Sequence, residues 1–262
     1  MRTMNPLLLV SVLLAGFATD ARAQAPQDRW YFDINFGGQV QDESFTQSAT
    51  FDIYNEKGAL ASAHTFGGGG LFDIGAGGLV WHDFGVGLSY SHNSNKNDAT
   101  VSVRVPNPIV FGQFREATTT VPGIEHKEDV VHLQFYWQTR VAEKFRFRFM
   151  FGPSFFNVHQ QIATVQASDI LDSPPSYSSV TIQSVTITEA KDSPVGVNVG
   201  IDGAYEIRRF DVPGLGSVGV GVGAFGRYSA ATIKFPDVPG TTRDEDPKAG
   251  GLQGGIGVRL GF

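Results

Sequence analysis

The chain has 262 residues with 20 Lys and Arg against 26 Asp and Glu, a net charge of −6, 32 Gly, 21 Phe and no Cys. The acidic balance argues against general nucleic-acid affinity, which needs phosphate-neutralising cations. The missing cysteines exclude a disulfide scaffold and thiolate metal ligation, and beyond the first residues no apolar run is long enough for a helical membrane span.

Met1-Arg2, the apolar run Leu7 to Phe17 and the small-x-small site Ala21-Arg22-Ala23 read together as an export leader over 1–23. Residues 24–262 then form one folded unit. In it, segments of period two recur, the mark of strands with two unlike faces. Trp30, Phe32, Ile34 and Phe36 alternate with Tyr31, Asp33 and Asn35. Phe72, Ile74, Ala76 and Val80 alternate with Asp73, Gly75 and Gly77; Val86, Leu88 and Tyr90 alternate with Gly85, Gly87 and Ser89. Val131, Leu133, Phe135 and Trp137 enclose His132, Gln134 and Tyr136; Phe145, Phe147, Phe149 and Phe151 enclose Arg146, Arg148 and Met150. A sixth run covers Val195 to Ile207, a seventh Val218 to Ala224, and the last ends on Ile256, Val258, Leu260 and Phe262.

Three connections are short (82–84, 141–144 and 208–216) and four are long (about 41–69, 93–128, 160–194 and 230–250). This alternation fits an all-β, eight-stranded antiparallel up-and-down transmembrane barrel with four long extracellular loops. Thr50 to Tyr54 and Ser178 to Thr188 are strand-like too, either as hairpin extensions or as a ninth and tenth strand. Pro153 cannot donate to a ladder, so a bulge is expected there.

The apolar faces carry Phe, Val and Ile, with Trp30, Trp81, Trp137, Tyr90 and Tyr205 near strand ends as interfacial girdles. The other faces carry Asp33, Asp73, Gln134, Arg146, Arg148, Asp202, Glu206, Arg227 and Arg259. A dry soluble core does not hold so many ionised groups cheaply, so the charged face is placed in the lumen and the apolar face against lipid. Four basic residues match four acidic ones. Asp33 is expected beside Arg259, and Glu206 beside Arg146 and Arg148, in a plugged lumen; an open channel for ions or small solutes is the alternative.

Leu71-Phe72-Asp73-Ile74-Gly75, Phe84 to Tyr90, Phe151 to Val158 and the final run Gly254 to Phe262 resemble the OmpA-like outer-membrane β-barrel domain proteins of Gram-negative bacteria. The resemblance implies an outer-membrane location and an eight-stranded barrel, but no single activity. Ile256, Val258, Leu260 and Phe262 would then serve as the C-terminal assembly signal. The expected partners are outer-membrane lipid and lipopolysaccharide, the barrel-assembly machinery and periplasmic chaperones, with no nucleic acid and an unnamed surface ligand.

The six histidines are scattered without metal spacing, and no cofactor motif is present: Gly67 to Gly70 lacks the Lys-Ser/Thr of a phosphate loop. Glu125 to Asp129 reads as a solvated loop end, and Asp237 to Lys248 as a mobile acidic surface segment. His92-Asn93-Ser94-Asn95 resembles the His-x-Ser-Asn segment of outer-membrane lipid A deacylases, implying a Ser94 nucleophile and a His92 base on the outer wall. The family's acid is absent at its usual spacing, where Val105-Pro106-Asn107 stands, and Asp98 lies closer on the right phase. The main expectation is a barrel without enzymatic activity that acts through its surface loops as an envelope or recognition component.

Overall fold

The computed structural model describes residues 28–214, 216–235 and 241–262. The leader expected over 1–23 lies outside them. β1 (Trp30–Val40) leads to a hairpin of β2 (Glu43–Ile53) and β3 (Glu56–Phe66), then to β4 (Gly69–Trp81), β5 (Phe84–Pro106), β6 (Phe114–Ala142) and β7 (Phe145–Thr164). A short 3-10 turn precedes the pair β8 (Ile170–Asp172) and β9 (Val180–Ile182). β10 (Thr186–Asp192), β11 (Val195–Val212), β12 (Gly216–Thr232), β13 (Thr242–Arg243) and β14 (Lys248–Gly261) complete the chain.

Eight strands close a barrel: β1, β4, β5, β6, β7, β11, β12 and β14 pair antiparallel in that order, and β14 returns to β1. At that seam Asp33 lies directly opposite Arg259. The ten-strand alternative falls away. Thr50 to Ile53 belongs to the β2–β3 hairpin, which pairs with the upper part of β5, and Ser178 to Thr188 divides between β9 and β10.

The long connections are not loops in the expected sense. β5 and β6 run on as one hairpin of 23 and 29 residues, turning only at 107–113. Above the barrel β2, β3, β5, β6, β7 and β10 form a continuous sheet extension. The segment expected to be mobile is tied down where it is described: β13 pairs with Gln47 and Ser48, and Asp244 accepts a hydrogen bond from the Thr46 amide at 2.8 Å.

The polarity of the wall inverts along single strands. Low on β5, Phe84, Val86, Leu88 and Tyr90 face out, while Gly85, Gly87, Ser89 and Ser91 face in. High on the same strand Thr100, Ser102 and Arg104 face out, and Ala99, Val101, Val103 and Val105 are buried. These valines join Ile124, Ala163, Val165 and Val180 in an apolar core of the extension. A second core of Phe45, Phe66, Phe156, Ile162, Ile233 and Phe235 sits between the extension and the polar lumen.

No bulge forms at Pro153. The β6–β7 register is the same on both sides of it, at His132↔Ser154 and Phe135↔Phe151. The bulge lies instead on β6, where Pro122 and Gly123 together oppose Asp98. Gly123 takes φ +74°, which glycine adopts without steric cost. The extra residue flips the phase of β6, so that His126 and Glu128 face in below the bulge while Val121 turns inward above it.

Candidate functional site

Alternation on a closed antiparallel sheet places every second side chain of each barrel strand inside. The lumen is consequently lined by the expected charges, and they meet in layers. In the middle layer Arg148 reaches both Asp33 and Asp202, the latter at 2.7 Å, with its guanidinium 3.8 Å from the centre of the Tyr31 ring. Arg259 donates to Asp202 through Nε at 3.0 Å and lies 3.6 Å from Asp33. Gly223 makes this possible, because a Cβ there would stand 2.8 Å from Arg259 Nε. Arg259 also donates to Asn35, whose amide donates to Asp73 at 2.8 Å.

Arg227 bonds Asp73 at 2.8 Å, Ser89 at 2.9 Å and Gln253 at 2.7 Å. Gln253 donates to Gln39, and Gln39 to Glu128, at 2.8 and 2.9 Å. Glu128 lies 3.0 Å from His126, which lies 2.7 Å from Gln160. One unbroken chain of side-chain bonds therefore runs from Asp33 up to the apolar core. Charged and amide groups of this kind are stable in a lumen only when each finds a partner.

Two sequence expectations are corrected here. Glu128 and His126 are not solvated; they are buried, because 125–129 is a strand whose alternate members face in. Glu206 does not pair with Arg146 or Arg148. It binds Arg209 at 2.6 Å, since an extra residue at Ile207 turns Arg209 into the lumen as well. Arg146 pairs with Asp28 at 2.9 Å. Asp28, Arg209, Gln39 and Gln253 escaped the sequence reading, and Asn35 was placed on the inward face without a partner. Asp28 precedes the first strand, Arg209 had been placed in a turn, and Gln39 and Gln253 lie beyond the strand segments as read from the sequence.

On the outer wall His92 and Ser94 face out from β5 just above the apolar band, as their phase implied. The acid opposite His92 is Asp129 on β6, with His92 Nδ1 2.8 Å from its Oδ1; Tyr90 donates to the same oxygen. Asp98 instead accepts from the Gly123 amide at the bulge. Ser94 lies opposite Lys127 and Gly70, and its hydroxyl makes no described bond to His92. Strand pairing brings Asp129 to His92 from 37 residues away, so sequence spacing could not have found it.

At the far end of the extension Arg115 binds Asp172 and the Pro106 carbonyl, and Tyr54 donates to Asp172 at 3.0 Å. The Arg115 guanidinium holds the Asp172 carboxyl below the usual carboxylate range. This clamp joins the β2–β3 turn, the base of the β5–β6 turn and β8. Beyond it project Ile109, Val110 and Phe111, the last 84 % exposed. Asn107 accepts from the Ile109 and Val110 amides, and Glu56 from Gly112, so the tip is held in shape.

No family model matches the chain, and no curated protein is detectably similar in sequence. Solved structures do resemble it in chain path. Neisserial surface protein A is 11% identical, with a TM-score of 0.39, over 91% of this chain and 100% of its own. OprG, an outer membrane protein of Pseudomonas aeruginosa, is 10% identical over 90% and 97%, with a TM-score of 0.39. The Escherichia coli outer membrane protease OmpT is 10% identical over 92% and 99%, with a TM-score of 0.37. At this level of likeness the neighbours assign no activity to the chain.

Proposed function

We propose that this protein spans the bacterial outer membrane as a closed barrel and acts by contact through the β-structure it raises above the surface. The apolar band on β7 runs from Phe145 to Phe155. Eleven residues in a strand tilted by roughly 40° cover about 25 Å of membrane thickness. Lipid surrounds that band, and Ile256, Val258, Leu260 and Phe262 present the terminal strand to the assembly machinery. The short turns then face the periplasm and the extension faces outward.

The lumen supports contact rather than conduction, because side chains bridge it at every level and apolar residues cap it. The observation that carries the reading is the tip, where Ile109, Val110 and Phe111 stand in water on a braced turn. Exposed apolar groups on a pre-shaped turn favour association, since neither ordering nor desolvation of polar groups opposes it. The test uses displaying cells on polystyrene and on epithelial monolayers, with bilayer conductance of the refolded barrel measured alongside. Attachment should fall about tenfold in the triple variant Ile109→Ser, Val110→Ser and Phe111→Ser, with surface level unchanged. Equal attachment by both forms, or a steady large conductance, overturns the proposal.

A second reading rests on the His92–Asp129 pair, which orients an imidazole on the lipid-facing wall beside Ser94. This is the acid–base half of what an esterase acting on outer-leaflet lipid needs, and a rotation of the Ser94 hydroxyl or the His92 ring would have to complete it. Purified protein mixed with lipid A should then release fatty acid, and Ser94→Ala and Asp129→Asn should both abolish release. No release by the unaltered barrel removes this reading.

A further inference from the structure

The lumen charges cancel in the two layers that hold Asp33 and Asp73. In the middle, Arg148 and Arg259 face Asp33 and Asp202, and higher up Arg227 faces Asp73. At the short-turn end three guanidiniums share two carboxylates. Asp28 receives Arg146 at 2.9 Å, Arg140 at 3.4 Å and Arg209 at 2.7 Å, while Glu206 is bonded to Arg209 alone. Lys144 and Glu143, on the β6–β7 turn, stand at the rim and balance each other. The main-chain oxygen of Phe262 is occupied by the amides of Arg29 and Trp30.

These groups line a small recess that opens at the barrel mouth. Its wall is kept low by Gly219, Gly221 and Gly261. A Cβ at Gly219 would come within 2.9 Å of both Arg209 and Glu206. Arg146 is only 7% exposed, and its Nε donor has no acceptor. A buried guanidinium with an unused donor beside excess positive charge is an unusual cost for a fold to retain. Two or three oxygens carrying negative charge would satisfy both, because the fork of an arginine matches an oxyanion.

We infer that the recess at the short-turn mouth of the barrel, formed by Arg140, Arg146 and Arg209 around Asp28, is a binding site for an oxyanion, either a phosphate group or a carboxylate. Arg146 and Arg140 supply the free donors, and Asp28 holds the three arginines at the spacing an anion needs. The site lies at the opposite end from the proposed contact surface, so it stands or falls separately from it.

Refolded full-length barrel in a zwitterionic detergent is titrated with inorganic phosphate, and separately with acetate, at constant ionic strength set by chloride. Calorimetry and amide chemical shifts report binding. Saturable phosphate binding is expected, with shifts concentrated at Gly219, Gly221 and Gly261. Arg140→Gln should weaken it about tenfold, while Lys96→Gln at the other end leaves it unchanged. Saturation by phosphate alone assigns a phosphate source, and saturation by both anions extends the site to acidic peptides. Folding of each variant is checked by the heat-dependent gel mobility of the barrel. If Arg140→Gln does not fold, Lys144→Gln at the rim replaces it, with a loss of about threefold. Linear, non-saturating responses to both anions, or unchanged binding in the folded rim variant, overturn the inference.

Discussion

Arg148 shows how one side chain can hold a barrel together. Its guanidinium joins β7 to Asp202 on β11 and, across the lumen, to Asp33 on β1. Removing it leaves two carboxylates with Arg259 as their shared partner, the nearer contact being to Asp202. Breaking a buried ion pair on one side typically costs about 3–5 kcal/mol, more than the pair's net worth, because the orphaned charge remains desolvated. Arg148→Met should therefore lower unfolding stability by about that amount, read by tryptophan fluorescence in urea with the barrel in micelles. Adding Asp33→Asn should recover more than half. If the double variant is as unstable as the single one, the cost lies in lost packing on Tyr31 instead. The pairing of Asp33 with Arg259 was legible in the sequence, since both lie near the closing seam. The partner of Glu206 was not, because the bulge at Ile207 that turns Arg209 inward leaves no trace in residue types.

The long hairpins are the elements that the sequence described least well. Thr118 to Val121 and Ala99 to Val105 read as loop because the polar side of their alternation resembles turn composition, and no lipid demands Phe there. Their inward valines and alanines form an ordinary water-soluble core, whose burial stabilises by roughly 25 cal/mol per Å². The Arg115 clamp joins three such elements at the top. Arg115→Ala should free the segment 173–179 and raise its rate of protease cleavage about tenfold, with β5 and β6 still resistant. Equal cleavage of parent and variant would show that packing of Val180 and Ile182, not the clamp, orders this segment. The bulge at Pro122-Gly123 is the other decisive element. Without it, the even residues that face in at His126 would continue inward as Thr118 and Thr120, and the upper core would lose its apolar lining.

At the scale of the whole molecule two bodies of opposite polarity share continuous strands. One has its apolar side outward, the other has it inward, and they need not lose stability together. His64 belongs to the second. It is buried between Phe45, stacked at 4.9 Å, and Ser62, bonded at 2.9 Å, and burial lowers its imidazole from 6.5 to about 4. The folded group thus resists protonation that the unfolded group accepts. Stability is complete above pH 6.5 and falls as pH drops towards about 4, by up to roughly 3 kcal/mol. Limited proteolysis at pH 7.5 and 4.5 should show the β2–β3 hairpin opening at the lower pH while the barrel keeps its folded gel mobility. His64→Gln should remove much of this difference, and unfolding of both bodies at one pH would show them to be a single cooperative unit.

The sequence by itself determined the all-β class, the alternation of short and long connections and the side of each strand that carries charge, while leaving eight or ten strands open. Those follow from a period of two, which is a property of one strand alone and is written in its residues. Beyond the Asp33–Arg259 pair, the tertiary structure decided which charges meet, that Asp129 stands beside His92, and that the long connections rise as a packed body with a braced apolar tip. Such facts depend on register between strands and on bulges that shift it by one residue, and a one-residue shift exchanges inside for outside without altering the composition of either strand.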